Sequence, residues 1–350
     1  GDFFSGETGY FKVKGHIGLQ PTLHMDLNTL YVFDQNDITN WMHPLGLAFK
    51  PDGAHDVSYG PDGAPEVVDG AGAKGYTYVY KVDGSNVTLE DYERMFFWPK
   101  AEWSKHSYHI EVSIVDPNIA KEIVYFCHIH NKMSGLIHIQ GGVGDTITMY
   151  APYEPDAFDA TCGTYGAGPY SKRVSEGGRC MHEQATFMCG AVDSQFAKCM
   201  DAIDCKMNHE MSVQNIPASP VATFMHQMIP HHVNAVNMAR ILLKQSKAYG
   251  GSIDMAGEEG KYDGVQDMLI EIVNTQNYQM SEMRKWLLLR NFSTTGVQCN
   301  TTAAKQGFVA RETERESLAS LVALSGAPRA WPFHLSVAAG FFAAWRVWLA

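Results

Sequence analysis

The chain has 350 residues, of which 45% are hydrophobic and 19% charged, so its composition is that of packed cores and not of a disordered chain. The formal net charge of -11 excludes the basic face that nucleic-acid binding requires. The length suggests two domains with connecting segments.

Residues 1–150 read as an antiparallel β-sandwich. Tyr31–Phe33, Tyr76–Tyr80, Ile110–Ile114, Ile123–Phe126 and Ile137–Ile139 are short β-branched and aromatic runs. Turn clusters such as Pro51-Asp52-Gly53, Pro61-Asp62-Gly63 and Asp83-Gly84 separate them. The stretch from Pro51 to Gly75 is rich in Gly, Pro and Asp and reads as a long surface insertion.

Residues 151–182 carry Gly163, Gly166, Gly168, Gly177 and Gly178 and read as a linker. Across residues 183–290 the apolar period becomes helical, most clearly over Ser219–Lys247 and Val265–Leu289. Pro230 is expected to kink the first of these helices. Residues 291–325 are polar and read as a tether, and residues 326–350 as a hydrophobic tail. The small residues Ser325-Gly326-Ala327 before the apolar run Leu335–Ala350 have the layout of a GPI-attachment signal or a membrane anchor.

Of the seven cysteines, Cys127 stands alone in a His-rich segment. Cys162, Cys180, Cys189, Cys199, Cys205 and Cys299 could form three disulfides, in any of fifteen pairings. Together with glycosylation sequons at Asn86, Asn291 and Asn300, they favour an oxidising, extracellular or cell-surface setting.

The chemistry concentrates in Tyr125–Gly135, where Cys127, His130 and Met133 follow one another at C-x-x-H-x-x-M spacing. A thiolate, an imidazole and a thioether in one short loop are soft and borderline ligands that suit copper. A mononuclear blue site needs a second imidazole, and His43, after the Leu30–Phe33 strand and a turn, is the candidate. His128 is expected to face away, because strand neighbours alternate sides.

These residues resemble the cupredoxins, with the short ligand loop of amicyanin, over about residues 10–145. The resemblance implies a Greek-key sandwich with type-1 copper held strongly by Cys127, His43 and His130 and weakly by Met133. His43-Pro44 is also similar to the H-P-x-H-x-H-G segment of multicopper oxidases. In that alignment the two histidines of the trinuclear cluster are replaced by Gly46 and Ala48. The oxidases also carry His-Cys-His, and here Phe126 precedes Cys127. The oxygen-reducing cluster is therefore not expected.

In the second half, Met228-Ile-Pro-His-His232 through Ala239 resembles the core of the ferritin-like domain-of-unknown-function family 305, over about residues 207–290. Gln276, Met283, Trp286 and Leu287 match its later pattern, with Gln279-Met280 where Glu-Ile is usual. Met228, His231 and Met238 share one helical face, and Met280 and Met283 share another. With His232 they are candidate Cu(I) ligands, set against the plainer reading of a Met-filled core.

The expected protein is a β + α copper protein that exchanges one electron with a redox partner. Copper sequestration or delivery, with a copper donor or acceptor as partner, is the second reading. A metal-oxidising or reductase subunit is the third, and no catalytic residue is assigned.

Overall fold

The computed structural model describes residues 6–67, 75–151, 153–171, 194–211, 219–248 and 264–294. Two four-stranded sheets pack face to face. One has the order β1 (Leu23–Asp26), β8 (Gly135–Gln140), β7 (Glu122–Cys127), β3 (Leu45–Ala48). The other runs β2 (Tyr31–Asp34), β6 (Tyr108–Ile114), β4 (Tyr76–Val82), β5 (Ser85–Val87). All pairings are antiparallel except β1 with β8, which is parallel. Each strand expected from the sequence is present. β1, β3 and β5, outside the expected runs, are only three or four residues long.

Alternation explains the core. In β4, Tyr76, Tyr78, Tyr80 and Val82 point inward, and in β6 Tyr108, Ile110, Val112 and Ile114 do the same. An aromatic side chain buries roughly 150–250 Å², on the order of 4–6 kcal/mol of apolar transfer at about 25 cal/mol per Å² before entropy is subtracted. Strand β7 is buried on both faces. Ile123, Tyr125 and Cys127 enter the core between the sheets, while Val124 and Phe126 enter a smaller cluster outside it.

That outer cluster revises the surface-insertion reading for its described part. Residues 51–67 form two 3-10 turns and a bridge from Glu66 to Ala48, and Ala64 and Val67 are buried. Gly53 lies so close to the Phe126 ring that a Cβ there would stand 2.4 Å from it. The segment is a cover over β7.

Six helices lie among the described residues. The short α1 (Leu89–Met95) and α2 (Lys100–Trp103) close one side of the second sheet with Tyr92, Phe96 and Trp103. Helix α3 (Ala157–Cys162) lies in the Gly-rich stretch and is joined to α4 (Gln195–Met211) by the Cys162–Cys199 disulfide. Cys205 is also half of a disulfide. Here the sequence left the pairing open, and separation in space decides it.

The long helices α5 (Pro220–Ala248) and α6 (Gly264–Leu289) coincide with the expected helical runs. Ile229, Val236, Ala239 and Leu243 pack on Leu269, Val273, Met280 and Leu287. Pro230 lies inside α5, and the helix continues past it.

The described residues all fall in one compact unit, and α6 packs on the sandwich as well as on α5. Tyr278 meets Phe97 with ring centroids 5.2 Å apart, and Lys100 forms an ion pair with Asp267. The N-terminal segment is the second tie. Arg240, fully buried, donates to the carbonyls of Gly6, Glu7 and Gly163, and Arg284 pairs with the Glu7 carboxylate at 2.7 Å. The architecture is thus β + α, with the helical layer built onto the sheets.

Among the described residues no helix is long and apolar enough to cross a membrane. The tail 326–350, Asn300 and most of the tether lie outside the described residues. Asn86 on β5 and Asn291 at the end of α6 are exposed.

Candidate metal centre

Strand β7 ends at Cys127, and a tight loop returns the chain to β8 at Gly135. The opposite strand β3 pairs Leu45 with Cys127, which sets His43 beside the same loop. His43, Cys127 and His130 meet there, all buried, at 5%, 0% and 1% exposure. The two Nδ1 atoms are 3.2 Å apart, and each lies 3.7 Å from the Cys127 Sγ. Metal bonds of about 2.0 Å to nitrogen and 2.3 Å to sulfur, at angles of about 105–120°, span edges of roughly 3.2 and 3.7 Å. The three atoms therefore fit around a single ion. Met133 is buried at 2% in the core cluster that also contains Cys127.

Local contacts hold the loop. The His130 backbone N–H donates to the Cys127 Sγ at 3.4 Å. Lys132 takes a left-handed φ of 59°, and its N–H donates to Asp52 Oδ1. Ser134 bridges Asp52 and Tyr150, and Thr8 donates to the Asn131 carbonyl. On the His43 side, the Gln35 amide donates to the His43 carbonyl and accepts from the Leu45 N–H, and Tyr92 fixes that amide from behind. Met42, at φ 63°, makes the turn that presents His43.

The electrostatics suit a ligand set. Burial lowers the His130 pKa to about 4 and holds His43 well below its usual range, so both imidazoles are neutral lone-pair donors at pH 7. Burial pushes the Cys127 thiol up to about 12, so without an ion it keeps its proton. A bound metal would supply the charge that stabilises the thiolate.

His128 points the other way, as alternation requires. Its Nδ1 lies 2.8 Å from Glu93 and its Nε2 3.7 Å from Glu66 and 3.5 Å from the Tyr80 hydroxyl. Burial opposes its charge, but the two carboxylates outweigh burial and raise its pKa. The ring occupies the space above Gly46, where a Cβ would stand 2.0 Å from Nε2. A histidine at position 46 could not coexist with this arrangement.

The helical candidates are spread out. His231 is exposed, and so is Met238 at 42%, whereas Met280 is buried at 1% and Met228 and Met283 are half-buried. Both ring nitrogens of His232 are engaged, Nδ1 with the Met228 carbonyl and Nε2 with Gln279 Oε1, each at 2.8 Å. His232 ties α5 to α6.

Two participants carried no sequence signal of their own. His55, in the cover segment, hydrogen-bonds the Cys127 carbonyl at 2.8 Å, and its neighbours Pro51 to Gly53 mark only a turn. Asn274 on α6 takes the His130 Nε2–H on its backbone carbonyl at 2.9 Å. Its one trace is a polar row, Asn274, Asn277 and Ser281, on the buried face of α6.

Comparison of the chain with protein-family models, with curated proteins and with solved structures found no match.

Proposed function

We propose that this chain is a copper protein of cupredoxin type whose mononuclear centre carries single electrons to or from a partner protein. The observation that carries the reading is the buried triangle of two imidazole nitrogens and one thiol sulfur, sized for one ion. A thiolate with two imidazoles, and the Met133 thioether as a weak fourth ligand, is a donor set that suits copper and its one-electron chemistry. The two packed sheets, with the ligands at the end of β7 and before β3, support the cupredoxin resemblance.

Burial favours electron transfer over catalysis. All three ligand side chains are buried, which suits electron transfer, since an electron needs no open coordination position. The disulfides and the exposed Asn86 and Asn291 support a secreted or cell-surface location. The helical layer, of the ferritin-like type in this reading, acts first as a scaffold for the sandwich. Its role as a Cu(I) store is the weaker alternative, because both His232 nitrogens are already bonded.

The test is copper loading of the full chain with optical and EPR spectra and metal counting. One ion per chain with an intense sulfur-to-copper band is expected, and Cys127→Ala should abolish the band. A colourless loaded protein with Cys127 still reactive to thiol reagents would end this proposal.

A further inference from the structure

The imidazoles of His43 and His130 both turn their Nδ1 atoms inward, so their Nε2 atoms face out of the site. His130 Nε2 meets one residue of the helical layer, Asn274, and the side chain of the same residue adjoins His43. The backbone carbonyl of Asn274 lies 2.9 Å from His130 Nε2, and since a carbonyl only accepts, that nitrogen carries the proton. The Asn274 Nδ2 donates to the Trp41 carbonyl, which anchors the amide against the turn leading into His43.

One oxygen in this arrangement lacks a partner. Asn274 Oδ1 is buried without a hydrogen bond, and Asn274 as a whole is 1% exposed. A buried acceptor left unpaired is costly, so its presence calls for an explanation. A proton on His43 Nε2 supplies one. An ion bound at Nδ1 forces the remaining ring proton onto Nε2, where Oδ1 can accept it.

We propose that Asn274 is the positioning residue for both metal-binding imidazoles. Its main-chain oxygen holds the Nε2–H form of His130, and its side-chain oxygen holds the Nε2–H form of His43. Ligating histidines characteristically donate their second N–H to such a partner, which fixes the ring and the tautomer. Here the partner comes from a helix packed on the sheets, 144 positions beyond His130. Helix α6 thereby completes the centre. This rests on the reading of His43, Cys127 and His130 as metal ligands, but not on copper as the ion.

Histidine-selective nitrogen NMR on the full chain tests it, metal-free and then with zinc, which is diamagnetic. His130 should carry its proton on Nε2 already without metal, and His43 on Nε2 once zinc is bound. Both Nε2 protons should exchange slowly with solvent. Asn274→Ala keeps the main-chain carbonyl and removes Oδ1. It should speed exchange of the His43 proton at least tenfold and leave His130 on Nε2.

Asn277→Ala is the packing control, since Asn277 lies one turn along α6 and donates to the Glu7 carbonyl instead. It should change neither ring. A wild-type His130 protonated on Nδ1 without metal, or zinc bound through Nε2 of either ring, would overturn the proposal even if the Asn274 variant fails to fold. So would equal effects of the two substitutions. Failure to bind zinc or copper at all would end the metal-site reading itself, whatever the tautomer of His130.

Discussion

His130 Nε2 stands 2.9 Å from the carbonyl oxygen of Asn274, so a loop of the sandwich and the middle of a helix share one hydrogen bond across the metal centre. The carbonyl of a helical residue is normally taken by the N–H four positions on. Sharing it with an imidazole couples the centre to the docking of α6. A change that loosens α6 from the sheets is therefore a change at the metal site.

Metal loading near neutral pH should release about one proton per ion. Burial keeps His43 and His130 neutral and the Cys127 thiol protonated, with its pKa pushed up to about 12. Only the thiol then has a proton to lose when the ion binds. Calorimetric titration in buffers of different ionisation enthalpy reads this number directly. Release near zero would mean that Cys127 stays a thiol.

The metal-free protein should lose stability as pH falls from about 6.5 to 4. Burial lowers both His130 and His55 to about 4, against an unperturbed value of 6.5. The unfolded chain therefore takes up protons at these sites below about pH 6.5, while the folded chain resists until about pH 4. The contribution is full above pH 6.5 and is lost as pH drops through 4. It amounts to roughly 3 kcal/mol per site at most. Asp52 and Glu66, raised by burial from 3.8 and 4.5, act in the opposite sense within this window. Comparing denaturation profiles of the wild type and His55→Gln isolates the histidine part, and the variant's curve should be flatter over this window.

Arg240→Ala should destabilise the fold by about 3 kcal/mol or more in chemical denaturation. The guanidinium is fully buried and donates to Gly163, Gly6 and Glu7 carbonyls. Removing it takes this donor from the Gly6 and Gly163 carbonyls, leaves the Glu7 carbonyl to Asn277, and loosens the N-terminal segment that joins α5 and α6 to the sheets. Hydrogen exchange at residues 6–8 should rise with it. Unchanged stability would show that the Arg240 tie to the N-terminal segment does not hold the helical layer on the sheets.

Gly46→Ala should cost about 1–3 kcal/mol, as overpacking does. The new methyl would meet the His128 ring, which Glu93 and Glu66 hold in place. The His128 imidazole should shift in NMR spectra of the variant, while Gly84→Ala, whose Cβ position is open but whose φ of 78° strains any L side chain, should cost stability without moving that signal.

The sequence by itself determined the strands of high alternation, the two long helices and the local part of the candidate metal site. Cys127, His130 and Met133 lie in one short loop, so their spacing alone limits where their side chains can go. Tyr76–Tyr80 and Ile110–Ile114 show the two-residue period of a half-buried sheet, and α5 and α6 show the helical one. His43 is different, because it enters through the β3–β7 pairing of Leu45 with Cys127, a contact that no local pattern encodes. Asn274 is further still from any local signal. Its role depends on α6 docking over the sheet ends, fixed by Arg240, Lys100, Asp267 and Tyr278. The Cys162–Cys199 pairing and the cover formed by residues 51–67 have the same origin. Periodicity and spacing act through the chain's own geometry over a few residues, while these relationships act through space. Only the tertiary structure could decide that the metal centre belongs to the sheets and the helices together.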